Sequence, residues 1–248
     1  MRHLLVLLAL LLPGTASAAD LKLLTAGAYK PVALDLIPAF EKRTGHKVTV
    51  ESGTAGALQK RVAGGEYFDV VVMPPLSMAP LLGNRVIESS GKVLARVGIG
   101  VGVKAGTSPL PDISEVDAFK KTLLAAKAVA YIDPASGGSS GIYVAHLFDK
   151  LGIAAQMKPK SVLVPGGLVA ERLLDGQADI ALHQISEIMA VPGVTLVGPI
   201  PLYVQHYTAY SGGVSTGTRN RAAADALLLE LADPKNLPVL KKRGMDEP

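Results

Sequence analysis

The chain has no cysteine and no tryptophan among its 248 residues. Without cysteine there is no disulfide, no thiolate metal site, no thiol nucleophile and no lipid-bearing cysteine at a mature N-terminus. Aromatic residues make up only 4%, which argues against an aromatic cage for sugars or quaternary amines. Charge of one sign is also scarce. Twenty-five Lys and Arg face 21 Asp and Glu, a net of +4, too little to imply nucleic acid. Past the first residues no apolar run is long enough to span a bilayer, so the protein is expected to be free and not membrane-embedded.

What is present begins with an address. Arg2 is followed by an unbroken apolar run over residues 4–12. Pro13-Gly14 ends the run, and Ala16-Ser17-Ala18 has the small-x-small pattern of a signal-peptidase site. The run is far shorter than the roughly 20 residues of a membrane-spanning helix. Residues 1–18 are therefore predicted to be a signal peptide, with a mature chain from Ala19 in the periplasm.

The mature chain alternates short apolar runs with helical patterns. Residues 21–24, 47–51 and 69–73 read as strands, and helices fall between them. This opening βαβαβ pattern argues for a parallel sheet with covering helices. A second such unit follows, with strands over 128–132, 161–164 and 180–183 and helices over 142–151 and 168–174. Extended stretches at 97–104 and 203–214 flank this unit, and a helix over 219–231 ends the chain. The prediction is α/β, with the second unit inserted into the first through two hinge crossings. Residues 19–97 and 207–248 would form lobe 1, and 98–206 lobe 2.

Four strand-to-helix junctions share one chemistry. They are residues 25–29, 52–56, 136–141 and 165–167, each rich in Gly, Ala, Ser or Thr. A helix start offers unpaired N–H groups and the positive end of the macrodipole. Small residues let a ligand approach that backbone. Any one such loop is an ordinary cap. Two per lobe, all at carboxyl edges of strands, point to an anion cradle between the lobes.

Several segments also carry a resemblance. They are Thr25-Ala26-Gly27-Ala28, Gly53-Thr54-Ala55-Gly56-Ala57-Leu58 with Phe68-Asp69-Val70-Val71, Ser139-Ser140-Gly141-Ile142-Tyr143, and Leu173-Leu174-Asp175-Gly176-Gln177-Ala178-Asp179-Ile180. In order and spacing the chain resembles the molybdate-binding type of periplasmic solute-binding protein. The resemblance implies the two-lobed type II periplasmic-binding fold, with a ligand cleft between the lobes and no cofactor. Its ligand positions differ here. Ala28 stands where that family has Ser, and Thr54-Ala55-Gly56 replaces a Ser pair. Ser140 replaces Ala, Gly166 or Gly167 replaces Val, and His183 replaces Tyr. The pocket is thereby enlarged and gains an imidazole, which favours an organic di- or tricarboxylate over a small tetrahedral dianion.

The candidate ligand-binding set is Ala28, Tyr29, Thr54, Ala55, Gly56, Ser139, Ser140, Tyr143, Gly166, Gly167, His183 and Arg96. Lys30, Lys60 and Arg61 lie near the predicted cleft edges as further cations. His46, His146 and His206 show no metal-type spacing, and no metal ligand set is predicted. Glu187, four residues after His183, reads as a helix-start residue favoured by the dipole, with an acid/base role as its alternative.

Three functions fit. The first is a monomeric periplasmic protein that captures a small carboxylate for an ABC-type permease. The second, implied by the resemblance because its relatives include a periplasmic aconitate isomerase, is a 1,3-proton shift. His183, Tyr143 and Ser140 would be catalytic in it and Arg96 an anchor. The third is molybdate or tungstate binding through backbone donors.

Overall fold

The computed structural model describes residues 18–248. The predicted leader, apart from Ala18, lies outside the described residues. The described chain runs β1 (Asp20–Ala26), α1 (Lys30–Thr44), β2 (Lys47–Gly53), α2 (Ala55–Ala63), β3 (Val70–Met73) and α3 (Pro75–Met78). It continues through β4 (Lys92–Lys104), α4 (Val116–Ala125), β5 (Val129–Ile132), α5 (Ser139–Lys150), α6 (Ala154–Met157) and β6 (Ser161–Val164). It ends with α7 (Glu171–Leu174), β7 (Ile180–Gln184), α8 (Ile185–Ile188), β8 (Val194–Pro199), β9 (Tyr207–Val214), α9 (Arg221–Leu231) and α10 (Leu237–Lys242). No helix among the described residues is long and apolar enough to cross a membrane.

The strand order is β2-β1-β3-β9-β4-β7-β5-β6, with β8 also on β4. Strands β1, β2 and β3 are mutually parallel, as are β5, β6 and β7. The central strands β3, β5 and β7 are buried along their whole length, as parallel strands covered on both faces are, whereas the edge strands β2 and β6 are largely half-buried. Helix α1 buries Val32, Ala33, Leu36, Ile37 and Phe40, the i, i+4 stripe of an amphipathic helix.

Two long strands join the parallel sets. Residues 92–98 of β4 pair antiparallel with β9, and residues 99–104 pair with β7 and β8. The buried core divides at the same place. One cluster draws on residues 21–97 and 210–245. Two others lie within residues 99–200. This is the two-lobed fold with its two crossings.

Some predicted elements differ. The stretch over 203–214 opens with a 3-10 turn, Leu202–Val204, and becomes a strand only at Tyr207. Here a side chain takes over the ladder. Gln205 Oε1 accepts from Ile99 N at 2.8 Å and its Nε2 donates to Ile99 O at 2.9 Å. The helix predicted over 168–174 contracts to the single turn Glu171–Leu174. Gly167 before it takes a left-handed φ of 84°, a turn conformation that delays the helix. Strand β8 and the short helices α3, α6 and α10 carry too few residues to show a period, and the sequence reading passed over them and over α4; of α8 it placed only the start, at Glu187.

Candidate functional site

The carboxyl ends of β1, β2, β5, β6 and β7 converge on one cleft of about 440 Å³ between the lobes. That is the crevice where open α/β sheets take ligands. One wall is Ala26, Gly27 and Ala28 at the end of β1, with Ser52, Gly53, Thr54 and Ala55 at the junction of β2 and α2. The facing wall is Gly138, Ser139 and Ser140 at the start of α5, with Gly167 and Leu168 after β6. The floor carries His183, Gln184 and Glu187 from the β7–α8 junction, and Tyr210 from β9. Neither helix α5 nor the 3-10 turn Gly27–Tyr29 that leads into α1 has a side-chain cap at its start, and the N–H groups of their first residues leave a favourable place for negative charge.

The floor holds two ionisable groups in contact. His183 Nε2 lies 3.2 Å from Glu187 Oε2, and their exposures are 1% and 7%. The i, i+4 spacing bridges the end of a strand and the first turn of α8. Burial lowers the imidazole to about 3 and raises the carboxyl to about 8, because both charged forms lose hydration. Burial thus favours the neutral form of both groups, and at 3.2 Å a protonated carboxyl can donate to Nε2. His183 Nδ1 is buried without a protein partner. Gly27 sits directly on the carboxyl: a Cβ there would collide with Glu187 Oε1. Ser186 donates to Ala28 O at 2.8 Å, tying this junction to the β1 loop. Tyr210 is raised first by burial and then by the nearby Glu187 charge.

Hydroxyl accounting separates ligand groups from structural ones. Thr54 lines the cleft, but its Oγ1 donates to Ser136 O at 2.6 Å and caps α2 by accepting from Ala57 N at 3.2 Å. Gly56 N donates to Gly137 O at 3.0 Å in the same region. A Cβ on either glycine would stand 2.8 Å from the other's Cα. The two lobes therefore touch backbone to backbone at the cleft mouth, in a contact that only a glycine pair permits.

The predicted residues sort accordingly. Ala28, Thr54, Ala55, Ser139, Ser140, Gly167 and His183 line the cleft. Tyr29, Gly56, Tyr143, Gly166 and Arg96 do not. Tyr29 is fully buried and its hydroxyl donates to Leu231 O at 3.0 Å. Gly56 belongs to the clasp. Tyr143 donates to Val204 O at 2.7 Å and stacks on His206 with ring centroids 4.5 Å apart. Arg96 lies on β4, its guanidinium 5.4 Å from the Tyr207 ring centroid and its backbone N donating to Asp246 O. Gly166 sits outside the lining because the turn projects Gly167 instead.

Among the expected cations, Arg61 is engaged by Glu51 and Glu66 on the surface, and Lys60 is exposed. Lys30 alone of the four lines the cleft, and it has no ion-pair partner among the described residues. The sequence reading missed Arg243, Gln184 and Tyr210. Arg243 lines the cleft and forks onto Asp35, Nε to Oδ2 at 2.8 Å and Nη2 to Oδ1 at 2.6 Å. It lies 208 residues from that partner, a separation that no local pattern reveals.

Residues 21–246 match the family model described as bacterial extracellular solute-binding protein. Aconitate isomerase of a Pseudomonas species is 33% identical over 232 residues, covering 91% of this chain and 87% of that protein. The periplasmic molybdate-binding protein of Azotobacter vinelandii superposes with a TM-score of 0.75 at 19% identity, covering 92% of this chain and 99% of that one. The sulfate-binding protein SubI from Mycobacterium tuberculosis H37Rv gives 0.74 at 17% identity, covering 92% and 87%. At these identities the two solved structures speak for the fold alone.

Proposed function

Since the chain belongs to the family of bacterial extracellular solute-binding proteins, we propose that its cleft binds an unsaturated organic polycarboxylate and moves one of its protons, as an aconitate isomerase would. The observation that carries this reading is the buried Glu187–His183 pair. A protein that only holds an anion needs a fixed donor beside it, not a group whose proton comes and goes near neutral pH. A proton carrier needs such a group, because one with a pKa near 8 populates both its forms close to neutral pH. The relative at 33% identity named for that activity supports the same reading.

In the trans-to-cis interconversion, a proton leaves the methylene carbon for the Glu187 carboxylate. The double bond shifts by one carbon, and a proton returns to the far alkene carbon. Atoms and charge balance with no oxidant or reductant. His183 Nε2 accepts a hydrogen bond from the protonated Glu187 carboxyl and holds it in place for the return transfer. The uncapped starts of α5 and of the turn Gly27–Tyr29 before α1, with Lys30 at the rim, meet the carboxylates. The protein would act in the periplasm after removal of its leader.

Proton NMR of trans-aconitate mixed with the pure protein tests this. The expected result is growth of cis-aconitate signals, cut by about 100-fold or more in Glu187→Gln. Absence of any cis isomer, with intact binding by calorimetry, would reject catalysis. It would leave the second reading, capture for a membrane permease, which the uncapped helix starts also suit.

A further inference from the structure

Gln184 ends β7 and is 1% exposed. Its Nε2 donates to Thr208 Oγ1 on β9 at 3.0 Å and lies 3.4 Å from Ser139 Oγ at the first position of α5. Its Oε1 is buried with no protein partner, although the residue lines the cleft. A buried amide oxygen is rarely left without a hydrogen bond. Its two neighbours supply the explanation. Hydroxyls donate as readily as they accept, and the two ends of a side-chain amide are nearly the same size. Turned over, the amide keeps both contacts, with Oε1 accepting from Thr208 and Ser139. The atom then left for a ligand is Nε2, a donor.

We propose that Gln184 is a specificity-determining residue that reads the charge of the ligand, its amide turned over on Thr208 and Ser139 to donate to a carboxylate oxygen. The inference rests on the reading of the cleft as an anion site and adds to it. A neutral amide held by two hydroxyls accepts no proton at any physiological pH. The residue therefore selects an anion without competing for the proton carried by the neighbouring His183 and Glu187. Thr208 belongs to a crossing strand and Ser139 to the facing wall, so the amide is fixed by both hinge and lobe.

Calorimetric titration of wild type and Gln184→Glu with trans-aconitate and with sulfate tests the inference. The substitution keeps the shape, and both hydroxyls can donate to the new carboxylate, so ligand-free melting is the control for folding. The expected result is an affinity loss of about 100-fold for the anion that wild type binds. Should Gln184→Glu fail to fold, Gln184→Met replaces it, with an expected loss of about tenfold. In parallel, the Gln184 side-chain amide proton signals, assigned by their absence in Gln184→Met, are expected to move downfield on adding the anion. Unchanged affinity in the variant, or unmoved amide signals, would overturn the role of Gln184 while the anion cleft stands. Failure of wild type to bind either anion would overturn both.

Discussion

Glu187 and His183 place opposite pH demands on the folded state. The carboxyl rises from 4.5 to about 8 on folding. The unfolded chain therefore ionises first, and the stability tied to the neutral form is present below 4.5 and lost as pH climbs through about 8. The imidazole falls from 6.5 to about 3, so its share is present above 6.5 and lost as pH falls toward 3. Glu187→Gln removes the first demand. Its melting temperature is expected to gain on wild type steadily between pH 5 and 8, which a thermal melt in a buffer series measures. Activity should run the other way, since the base works only when ionised. In wild type kcat/KM is expected to rise with pH up to about 8, and initial-rate assays should show that limb missing in Glu187→Gln. Gly27→Ala forces a Cβ against Glu187 Oε1. It is expected to lower kcat by about tenfold or more, with a smaller change in KM, by pushing the carboxyl off its position.

At the scale of elements, the clasp is the exposed point. Thr54, Gly56, Ser136 and Gly137 join the start of α2 to the loop before α5. An added methyl at Gly56 stands 2.8 Å from Gly137 Cα, and overpacking of this kind costs about 1–3 kcal/mol. Gly56→Ala is therefore expected to weaken anion affinity by about tenfold, through faster release, and to lower the melting temperature of the ligand-free protein by about 2–4 °C or more. Stopped-flow release kinetics would check it. This also shows what the sequence made legible. The small-residue loops were visible because strand and helix periods bracket them, and they mark both walls. Whether a given residue faces ligand or the opposite lobe depends on contacts 82 residues apart, as between Thr54 and Ser136. Periodicity carries no such information, so Gly56 read as a ligand contact. Glu187 read as a dipole-favoured helix residue for a related reason. The junction from strand to helix between it and His183 was legible, but the burial of both side chains and their contact come from the elements packed around them. Tyr143 and Arg96 have the right chemistry for the site, and tertiary packing commits them elsewhere.

For the whole molecule, the order of the chain and the order of the sheet disagree in a telling way. The core lying within residues 99–200 is continuous in sequence. The other core is not: β9 inserts between β3 and β4, and α9 and α10 pack back on it. Asp246 then exchanges backbone hydrogen bonds with Arg96 on a crossing strand, and Arg243 reaches the cleft beside α1. As the chain leaves the ribosome, lobe 2 has all its parts by about residue 200, and lobe 1 waits for β9, α9, α10 and Asp246. Any chain ended before β9 has an open place in its sheet and no Tyr210 in its floor. One ended only a few residues early loses the Arg243 rim and the brace on the hinge. The cleft thus acts as a check on length: a chain stopped short of Arg243 presents no complete site.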